Sequence, residues 1–454
     1  MNAPLLPTFL ERLANRNRFG VRPGLDTMRA VLDRLGNPER GVAAIHIAGT
    51  NGKGSTAAFI DAVLRAQGLP CGRYTSPHLV WFNERICVNG EPVADDALQA
   101  ASDEVEAAEK KLPAGIPDAT FFEMATAIAF CVFRYRGVPL VVLETGLGGR
   151  LDATNVVSPL LSVITRVGYD HMDVLGGTLA QIAFEKAGII KPGRPVVVAD
   201  MPEEARAVIE ARARELDAPL RDARSVAVSR IRHEARGLVF DLETPSRRVG
   251  KIHTPLAGAY QVENIATAVT ALEVVEDALG IEISEEALRE GFASVVWPGR
   301  FQTLCESPVV ILDGGHNVDC AEGIKSALKA ARFKGPTALV AGFCKDKDIG
   351  AFLRILAPHI TRAWAVEIAS PRSESPSVVA SLMRCHGIKD VEVGATLHAA
   401  LDAARAWALA ENGRVLVCGS LFLAGEVLRA FDALPWAQQK RGRDGGEVFK
   451  PAQK

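Results

Sequence analysis

The chain has 454 residues, of which 48% are hydrophobic and 23% are charged, a composition typical of a soluble globular protein. This length exceeds what one ordinary hydrophobic core serves, so we expect two or three domains. The 52 Lys and Arg residues nearly balance the 54 Asp and Glu residues, and the net charge of −2 argues against nucleic acid or an anionic membrane as a partner.

Targeting and redox features indicate where the chain works. The first 16 residues lack a basic stretch followed by a long apolar run, so we expect no secretory signal. The longest apolar helix candidate, residues 124–133, is too short to cross a bilayer. Eight cysteines without any C-x-x-C pair argue against a zinc site or disulfide framework and fit buried thiols in a reducing compartment. We therefore expect a cytoplasmic protein, and we expect it to be a monomer.

The most informative stretch, residues 45–56, reads IHIAGTNGKGST. Residues 42–48 have the apolar, β-branched pattern of a buried parallel strand, and apolar residues recur at helical spacing after the glycines. Such a turn presents backbone N–H groups at the positive end of a helix dipole, where phosphate binds, and Lys53 adds a cation. The pattern departs from the general phosphate-binding loop at Ile47 and Gly54. We interpret it as a nucleotide site, with a plain strand-to-helix turn as the alternative.

Three aromatic or polar positions follow in the first half of the chain. Pro77 keeps Ser76 out of helical conformation, which predicts a loop after the second strand. Arg85 offers a guanidinium suited to bidentate carboxylate binding, with a surface ion pair as an equal alternative. A helix over residues 121–133 is apolar almost all round and therefore buried. Phe122 at its start could stack on a flat ring, although a core position is the ordinary interpretation.

A second glycine-rich stretch, residues 140–155, reads LVVLETGLGGRLDATN and begins with a predicted buried strand. Ligands of doubly wound sheets bind beyond the carboxyl ends of the strands, so Glu144 stands where a Mg²⁺ ligand is useful. Pairing of Glu144 with Arg150 is the alternative. By the same logic the next strand, residues 160–165, brings His171 to this edge. These residues predict a metal-assisted phosphate site.

The second half of the chain shows where one domain gives way to the next. Residues 222–255 have the alternating pattern of a short β-rich excursion, and the alternation of strands and helices restarts after a break at residues 296–299. The fold class we predict is α/β, with a parallel-sheet ATPase domain that contains the phosphate loop and a smaller Rossmann-like domain after it. We expect these domains over residues 1–297 and 298–437, with a polar, basic and disordered tail over 438–454.

Read together, these stretches resemble the folylpolyglutamate synthase/dihydrofolate synthase family of the Mur ligase superfamily. The matching runs, from residue 46 to residue 420, are AGTNGKGST, YTSPHL, FNERI, FFE, LETGLGGRLDATN, ITRVGYDH, EKAGIIK, YQVEN, PGR, LDGGHN and CGS. The first and fifth runs together are the specific part. The resemblance implies Mur ligase architecture and a bacterial bifunctional enzyme. Such an enzyme uses ATP to add L-glutamate to dihydropteroate and to the glutamate tail of reduced folates, through an acyl phosphate.

The resemblance also implies site residues, carried over where the motifs match. Its ATP-binding set is Thr50, Asn51, Gly52, Lys53, Gly54, Ser55, Asn264, Arg300 and Asp313. Mg²⁺, of which we expect two ions, has the implied ligands Ser76, Glu144 and His171. The pterin substrate is matched by Thr120, Phe122, Arg150, Leu151 and Asp152, and the glutamate by Arg85, His316 and Ser420. The catalytic candidates are Lys53, Lys186 and His316.

Lys186 carries two competing interpretations. It lies on the last turn of a predicted helix, where a lysine complements the helix dipole and needs no modification. The resemblance implies instead that it carries a CO₂-derived carbamate beside Mg²⁺, which replaces a positive charge by a negative one and supplies oxygen ligands.

Two other functions compete with this interpretation. A sister Mur ligase acting on a cell-wall nucleotide precursor would need a uridine-binding domain of about 100 residues, whereas about 40 residues precede the phosphate loop. A non-catalytic nucleotide-binding regulator would keep the phosphate loop without Arg300, His316 and Ser420. Release of ADP that depends on both glutamate and a folate would separate these functions.

Overall fold

The computed structural model describes residues 8–14, 16, 24–234 and 236–433. The predicted disordered tail, residues 438–454, lies outside the described residues. The chain divides into two compact units, and a segment of the middle of the chain is shared between them. The first unit contains the chain up to Ser229, Asp241–Ile252 and Val262–Val295; the second contains Arg230–Phe240, His253–Gln261 and the chain from Val296 onward. The functional domains at 1–297 and 298–437 stay a prediction.

The first unit is built on an eight-stranded sheet. Its strands are β1 Ala43–Ala48, β2 Cys71–Tyr74, β3 Ile86–Val88, β4 Glu91–Pro92, β5 Leu140–Glu144, β6 Leu161–Ile164, β7 Val196–Val198 and β8 Leu220–Asp222. They lie in the order β4-β3-β2-β5-β1-β6-β7-β8. Strand β1 pairs in parallel with β5 and β6 and is almost entirely buried, as its apolar sequence predicts. The strand that carries the phosphate loop is therefore in the middle of the sheet.

One edge of this sheet differs from the parallel arrangement that we predicted. Strand β3 pairs antiparallel with both β2 and β4, so the sheet is mixed. The charged, alanine-rich pattern of residues 91–111 predicts one amphipathic helix, but the helix begins only at Asp95, because Glu91 and Pro92 pair with β3 instead. Pro92 cannot donate a ladder hydrogen bond, which suits it to this edge position.

Ten helices are described before residue 295. They are α1 Thr8–Ala14, α2 Asp26–Arg34, α3 Lys53–Ala66, α4 Asp95–Glu109, α5 Phe121–Tyr135, α6 Met172–Leu175, α7 Leu179–Ala187, α8 Glu203–Glu215, α9 Gln261–Leu279 and α10 Glu285–Ser294. Helix α5 is buried along nearly its whole length, as predicted. Thr178 caps α7 by accepting a hydrogen bond from Gln181 N, and this capping box confirms the predicted start of the helix.

The predicted β-rich excursion is a three-stranded sheet. Its strands are β9 Ala227–Glu234, β10 Gly237–Glu243 and β11 Arg248–Thr254, in the order β11-β10-β9.

Among the described residues, no helix is long and apolar enough to pass through a bilayer. None of the eight cysteines forms a disulfide bond; five are buried, Cys305 and Cys320 are partly buried, and Cys385 is exposed. The expectation of buried thiols is wrong for Cys385.

The second unit contains a six-stranded sheet in the order β12-β13-β17-β14-β15-β16. Its strands are β12 Gln302–Glu306, β13 Val309–Leu312, β14 Thr337–Ala341, β15 Arg362–Ala365, β16 Asp390–Val393 and β17 Arg414–Cys418. Its helices are α11 Val318–Ala330, α12 Ile349–Leu356, α13 Pro376–Cys385, α14 Leu397–Ala410 and α15 Leu421–Ala430. Five strands pair in parallel, and β12 pairs antiparallel with β13. The neighbours β13 and β17 end at Leu312 and Cys418, so Asp313 and Ser420, which follow them closely, lie at the same edge of the sheet.

The sequence prediction of this second sheet was incomplete. Strands β12 and β16 were not predicted, because neither is a continuous apolar run: β12 mixes polar and apolar residues that are mostly partly buried, and β16 alternates acidic residues with valines. The apolar pattern of residues 364–368 predicts a strand there, but β15 ends at Ala365, although Val366 and Ile368 beyond it are buried. An apolar run specifies burial, and it does not by itself specify where ladder pairing stops.

Candidate active site

The phosphate loop has the geometry that its sequence predicts. Helix α3 begins at Lys53, and Gly52 precedes it in the left-handed region with a φ of 87°. The first amide groups of a helix have no partner inside the helix, so those of residues 53–55 face the loop. A Cβ atom at Gly52 would collide with the Asn264 side chain. Asn264 therefore lies directly against the loop, and its role toward a nucleotide stays a prediction.

Thr50 and Asn51 are tied to the segment that follows β6. The Thr50 hydroxyl donates to Gly168 O and accepts from Gly168 N, both at 3.0 Å. The backbone N–H groups of Thr50 and Asn51 donate to Arg166 O at 2.9 and 3.3 Å. These groups hold the loop in place, which leaves the helix amides and Lys53 to face a phosphate.

Lys53, Glu144 and Ser76 converge at the carboxyl ends of three neighbouring strands. Lys53 Nζ donates to Gly49 O at 3.1 Å and to Thr50 O at 3.3 Å, and it lies 4.0 Å from Glu144 Oε1. The Glu144 side chain is only 5% exposed, and its Oε2 accepts from Ser76 N at 3.2 Å. A buried carboxylate beside a lysine and a polar loop is an arrangement suited to holding a hard cation.

Lys186 lies beneath the same loop. Its Nζ donates to Gly49 O at 2.7 Å, so two lysine side chains share one carbonyl oxygen. The pKa of Lys186 is lowered to about 7, mainly by burial and also by the positive charge of Lys53, while Asp170 and Asp152 oppose the shift. The partly buried Lys53 ammonium and any protonated Lys186 both add positive charge beside the loop, which a bound phosphate would offset.

His171 lies at the start of α6, in the left-handed region with a φ of 50°. Its side chain is 41% exposed, its Nε2 lies 3.9 Å from Asp170 Oδ1, and its backbone N–H donates to the same oxygen at 2.9 Å. Among the described residues, no group of three or more His, Cys, Asp or Glu side chains is arranged to hold a metal ion. Mg²⁺ bound with a nucleotide takes one or two protein carboxylates, and the oxygens of Glu144 and Ser76 fit that role.

The second glycine-rich stretch is organised by Asp152. Its Oδ2 accepts from Gly146 N and Leu147 N, each at 2.9 Å, and its Oδ1 accepts from Thr154 N at 3.0 Å and Thr154 Oγ1 at 2.5 Å. Burial raises the pKa of Asp152, and these hydrogen bonds oppose the shift. Four bonds from its own loop make Asp152 the element that fixes the loop's shape.

Phe122 lies against this loop. A Cβ atom at Gly146 would approach the Phe122 ring to 2.5 Å, so only glycine allows this packing. The ring is partly buried and lies 6.1 Å from Tyr74, centroid to centroid. Thr120 caps α5 by accepting from Glu123 N at 3.3 Å, which fixes the helix start where Phe122 projects. The Phe122 ring therefore forms a wall that packs against the loop at Gly146. Leu151, in the same glycine-rich stretch, is partly buried.

The two arginines of the first unit that were predicted to bind substrates, Arg85 and Arg150, have partners that the sequence did not predict. Arg150 NH2 donates to Glu185 Oε1 at 2.8 Å, and its guanidinium lies 5.5 Å from the Phe184 ring centre. The buried Arg85 donates from Nε to His78 Nδ1 at 2.9 Å. Because Arg85 is buried, the alternative of a surface ion pair is wrong. The sequence alone did not show this burial.

Asp313 is the centre of the polar cluster in the second unit. Its Oδ2 accepts from Tyr260 OH at 2.7 Å and Phe301 N at 2.9 Å, and its Oδ1 accepts from Gly315 N at 2.7 Å. Burial raises the pKa of Asp313, while the charge of Arg300 opposes the shift. Sequence reasoning missed Tyr260, because no local pattern links it to a carboxylate that far along the chain.

His316 and Ser420 lie on loops at the carboxyl ends of neighbouring strands of this unit. His316 Nδ1 lies 2.9 Å from Gly314 O, and Ser420 accepts from Phe422 N at 3.1 Å as the cap of α15. Arg300 NH1 donates to Gly299 O at 3.0 Å. The roles of these residues toward a ligand stay predictions.

Family comparisons assign both halves of the chain. Residues 47–272 match the Mur ligase middle domain, and residues 299–421 match the Mur ligase glutamate ligase domain. The chain therefore has the two domain types of a Mur ligase, and the predicted fold class is confirmed.

Individual relatives indicate which kind of Mur ligase this chain is. The chain is 41% identical to the dihydrofolate synthase/folylpolyglutamate synthase of Bacillus subtilis over 78% of this chain and 83% of that protein. It is 34% identical to the Escherichia coli enzyme of the same name over 94% and 96%. The solved structure of E. coli FolC in complex with DHPP and ADP covers 95% of this chain and 99% of its own, with a TM-score of 0.84 and 33% identity.

This chain belongs to the dihydrofolate synthase/folylpolyglutamate synthase family, and it is an ATP-dependent ligase. The resemblance identified from its motifs is confirmed.

Proposed function

We propose that this chain joins L-glutamate to dihydropteroate and to the glutamate tail of reduced folates, using ATP. On this proposal it is a bifunctional cytoplasmic enzyme that acts as a monomer and has only small molecules as partners. The single observation that carries the proposal is the convergence of Lys53, Lys186 and the buried Glu144 around the phosphate loop. This arrangement suits a nucleotide with its metal, and the Phe122 wall suits a flat ring.

The reaction proceeds in two steps. The substrate carboxylate attacks the γ-phosphorus of ATP, so that an acyl phosphate forms and ADP leaves. The amine of glutamate then attacks the acyl carbon, loses a proton, and displaces phosphate to give the amide. Negative charge spreads over the γ-phosphoryl oxygens in the first step. Lys53 and the amides of residues 53–55 would stabilise that charge, with no rearrangement needed at the moment of reaction.

The nucleotide and its metal take the residues around the phosphate loop. Residues 50–55, Asn264, Arg300 and Asp313 would bind ATP. Glu144 and Ser76 would hold one Mg²⁺ and His171 a second, and Mg²⁺ supplies charge neutralisation of the phosphates when bound.

Lys186 would carry a carbamate beside the metal. A neutral amine is the form that reacts with CO₂, and a pKa of about 7 leaves much of Lys186 neutral at physiological pH. The carbamate would also turn the repulsion between Lys186 and Lys53 into attraction. ¹³C NMR of protein equilibrated with ¹³C-bicarbonate and Mg²⁺ tests this, with Lys186→Ala as the matched control. A carbamate resonance that persists in the variant, or is absent from the parent, contradicts the modification.

The substrates take the remaining predicted residues. Thr120, Phe122, Arg150, Leu151 and Asp152 would form the pterin site. Within that set the geometry favours Phe122 for direct ring contact and Asp152 for shaping the loop. Arg85, His316 and Ser420 would form the glutamate site.

Release of ADP tests the proposal. The assay supplies ATP and Mg²⁺ with dihydropteroate or with a reduced folate, each with and without L-glutamate. We expect sustained ADP release only when a pterin substrate and glutamate are both present, and with either pterin substrate. Activity with one pterin substrate alone would reduce the proposal to a single activity. ADP release that needs another amino acid, or no release at all, would contradict it.

A further inference from the structure

We propose that His46 is a positioning residue for the pterin site, acting through Thr154 on the Asp152 carboxylate and on the loop that this carboxylate holds. The inference rests on the proposed function, since it takes residues 146–147 as a wall of that site. His46 lies in β1 with 0% of its surface exposed, and it belongs to none of the binding sets above.

Hydrogen positions along this chain of contacts follow from the donors and acceptors. Asp152 Oδ1 accepts the only hydroxyl hydrogen of Thr154, at 2.5 Å. Thr154 Oγ1 must therefore be the acceptor in its 2.8 Å contact with His46 Nε2. His46 is consequently the tautomer that carries its hydrogen on Nε2. The direction of donation runs from His46 through Thr154 to Asp152.

The cost of burying His46 indicates that this donation matters. Its Nδ1 is buried and has no hydrogen-bond partner within the described part of the chain. Burial lowers the pKa of His46 to about 3, so the ring is neutral at physiological pH. An unsatisfied buried nitrogen destabilises a fold, and an apolar side chain in the middle strand of the sheet would avoid it. The hydrogen bond from His46 Nε2 to Thr154 Oγ1, which orients the hydroxyl, accounts for a polar ring at this position.

The effect reaches the substrate through the loop. Asp152 Oδ2 holds the N–H groups of Gly146 and Leu147 at 2.9 Å, and Gly146 packs on the Phe122 ring. Without the Nε2–H donor the Thr154 hydroxyl is free to rotate, and Asp152 loses one of its four hydrogen bonds whenever it does. The amides of Gly146 and Leu147 are then less firmly held.

The experiment compares His46→Leu with His46→Gln in the full-length enzyme. We expect His46→Leu to raise the KM for dihydropteroate about fivefold, the size of effect that one hydrogen bond produces, while the KM for ATP stays the same. Its Tm should be unchanged or higher, because the unsatisfied nitrogen is gone. Mass spectrometry should show faster hydrogen exchange at the peptide containing Gly146 and Leu147. His46→Gln, which keeps a donor of similar reach, should restore both properties.

Further variants separate positioning from general packing. Thr154→Val should reproduce the effect of His46→Leu, and Thr154→Ser should not. Ile45→Val, a buried change in the same strand, should lower Tm without changing the KM for dihydropteroate. Unchanged exchange at residues 146–147 in His46→Leu and Thr154→Val would overturn the proposal, as would equal increases in both KM values. Phe122→Ala tests the pterin site separately: an unchanged KM for dihydropteroate there would refute the site, while hydrogen exchange still decides the role of His46.

Discussion

Substituting Lys186 by methionine tests whether the fold lowers the pKa of this buried amine to about 7. The pKa of Lys186 is about 7 in the fold, against an ordinary value of 10.5. Between these two values the unfolded chain binds more protons at this residue than the folded chain does. The free energy of unfolding therefore rises with pH in this window, by at most about 1.4 kcal/mol per pH unit from this residue. Below pH 7 the destabilisation is fully present and constant.

Lys186→Met removes this contribution and keeps an unbranched side chain of similar length. From pH 7 to pH 9 the parent should gain about 2 kcal/mol of unfolding free energy relative to the variant. Urea denaturation at pH 7, 8 and 9, without nucleotide or bicarbonate, measures the difference. Lys110→Met, at an exposed lysine, is the matched control and should follow the parent. Parallel pH profiles for the parent and Lys186→Met would refute a depressed pKa at Lys186.

Three further variants address the proposed sites. Lys53→Ala should lower kcat/KM about 10²-fold or more while circular dichroism stays unchanged, because a cation that stabilises the transferred phosphoryl group is lost; near-normal turnover would exclude this role. Phe122→Ala should raise the KM for dihydropteroate about tenfold and leave the KM for ATP unchanged in steady-state kinetics, since ring contact is lost. Tyr260→Phe should raise the KM for ATP a few-fold, because Asp313 loses its hydroxyl donor; an unchanged KM would show that Asp313 does not need this bond for ATP.

The sequence predicted those parts of the structure that depend on local pattern. The phosphate loop lies where a buried strand meets a helix, and short-range hydrophobic periodicity reveals both elements. The strand ends at Glu144 and Asp313 were predicted for the same reason, because apolar runs that stop at a polar residue mark them. The capping box at Thr178 is an equally local signal, set by Thr178 and Gln181.

Contacts between residues distant in the chain were beyond prediction. Lys186 was interpreted either as a carbamylated lysine or as a plain helix-end lysine, and neither interpretation included its hydrogen bond to Gly49 O, which lies 137 positions earlier. Asp152 was predicted to contact the substrate, and the sequence did not show that the distant His46 contacts Thr154, one of the residues that bond its carboxylate. Tyr260 begins the matching run YQVEN, but nothing in that run links it to Asp313. Convergence of this kind depends on the packing of elements, and periodicity in one segment carries no information about it.

Transfer of oxygen from substrate to phosphate tests the central claim most directly. Dihydropteroate labelled with ¹⁸O in its carboxylate is incubated with ATP, Mg²⁺, L-glutamate and the enzyme. Mass spectrometry then measures the ¹⁸O content of the product and of the released phosphate. The carboxylate oxygen that attacks the γ-phosphorus leaves with phosphate when glutamate displaces it. We therefore predict a glutamylated product and one ¹⁸O atom in each phosphate released. Product formed with unlabelled phosphate would contradict the acyl-phosphate mechanism, and labelled substrate that remains unligated would contradict the ligase activity itself.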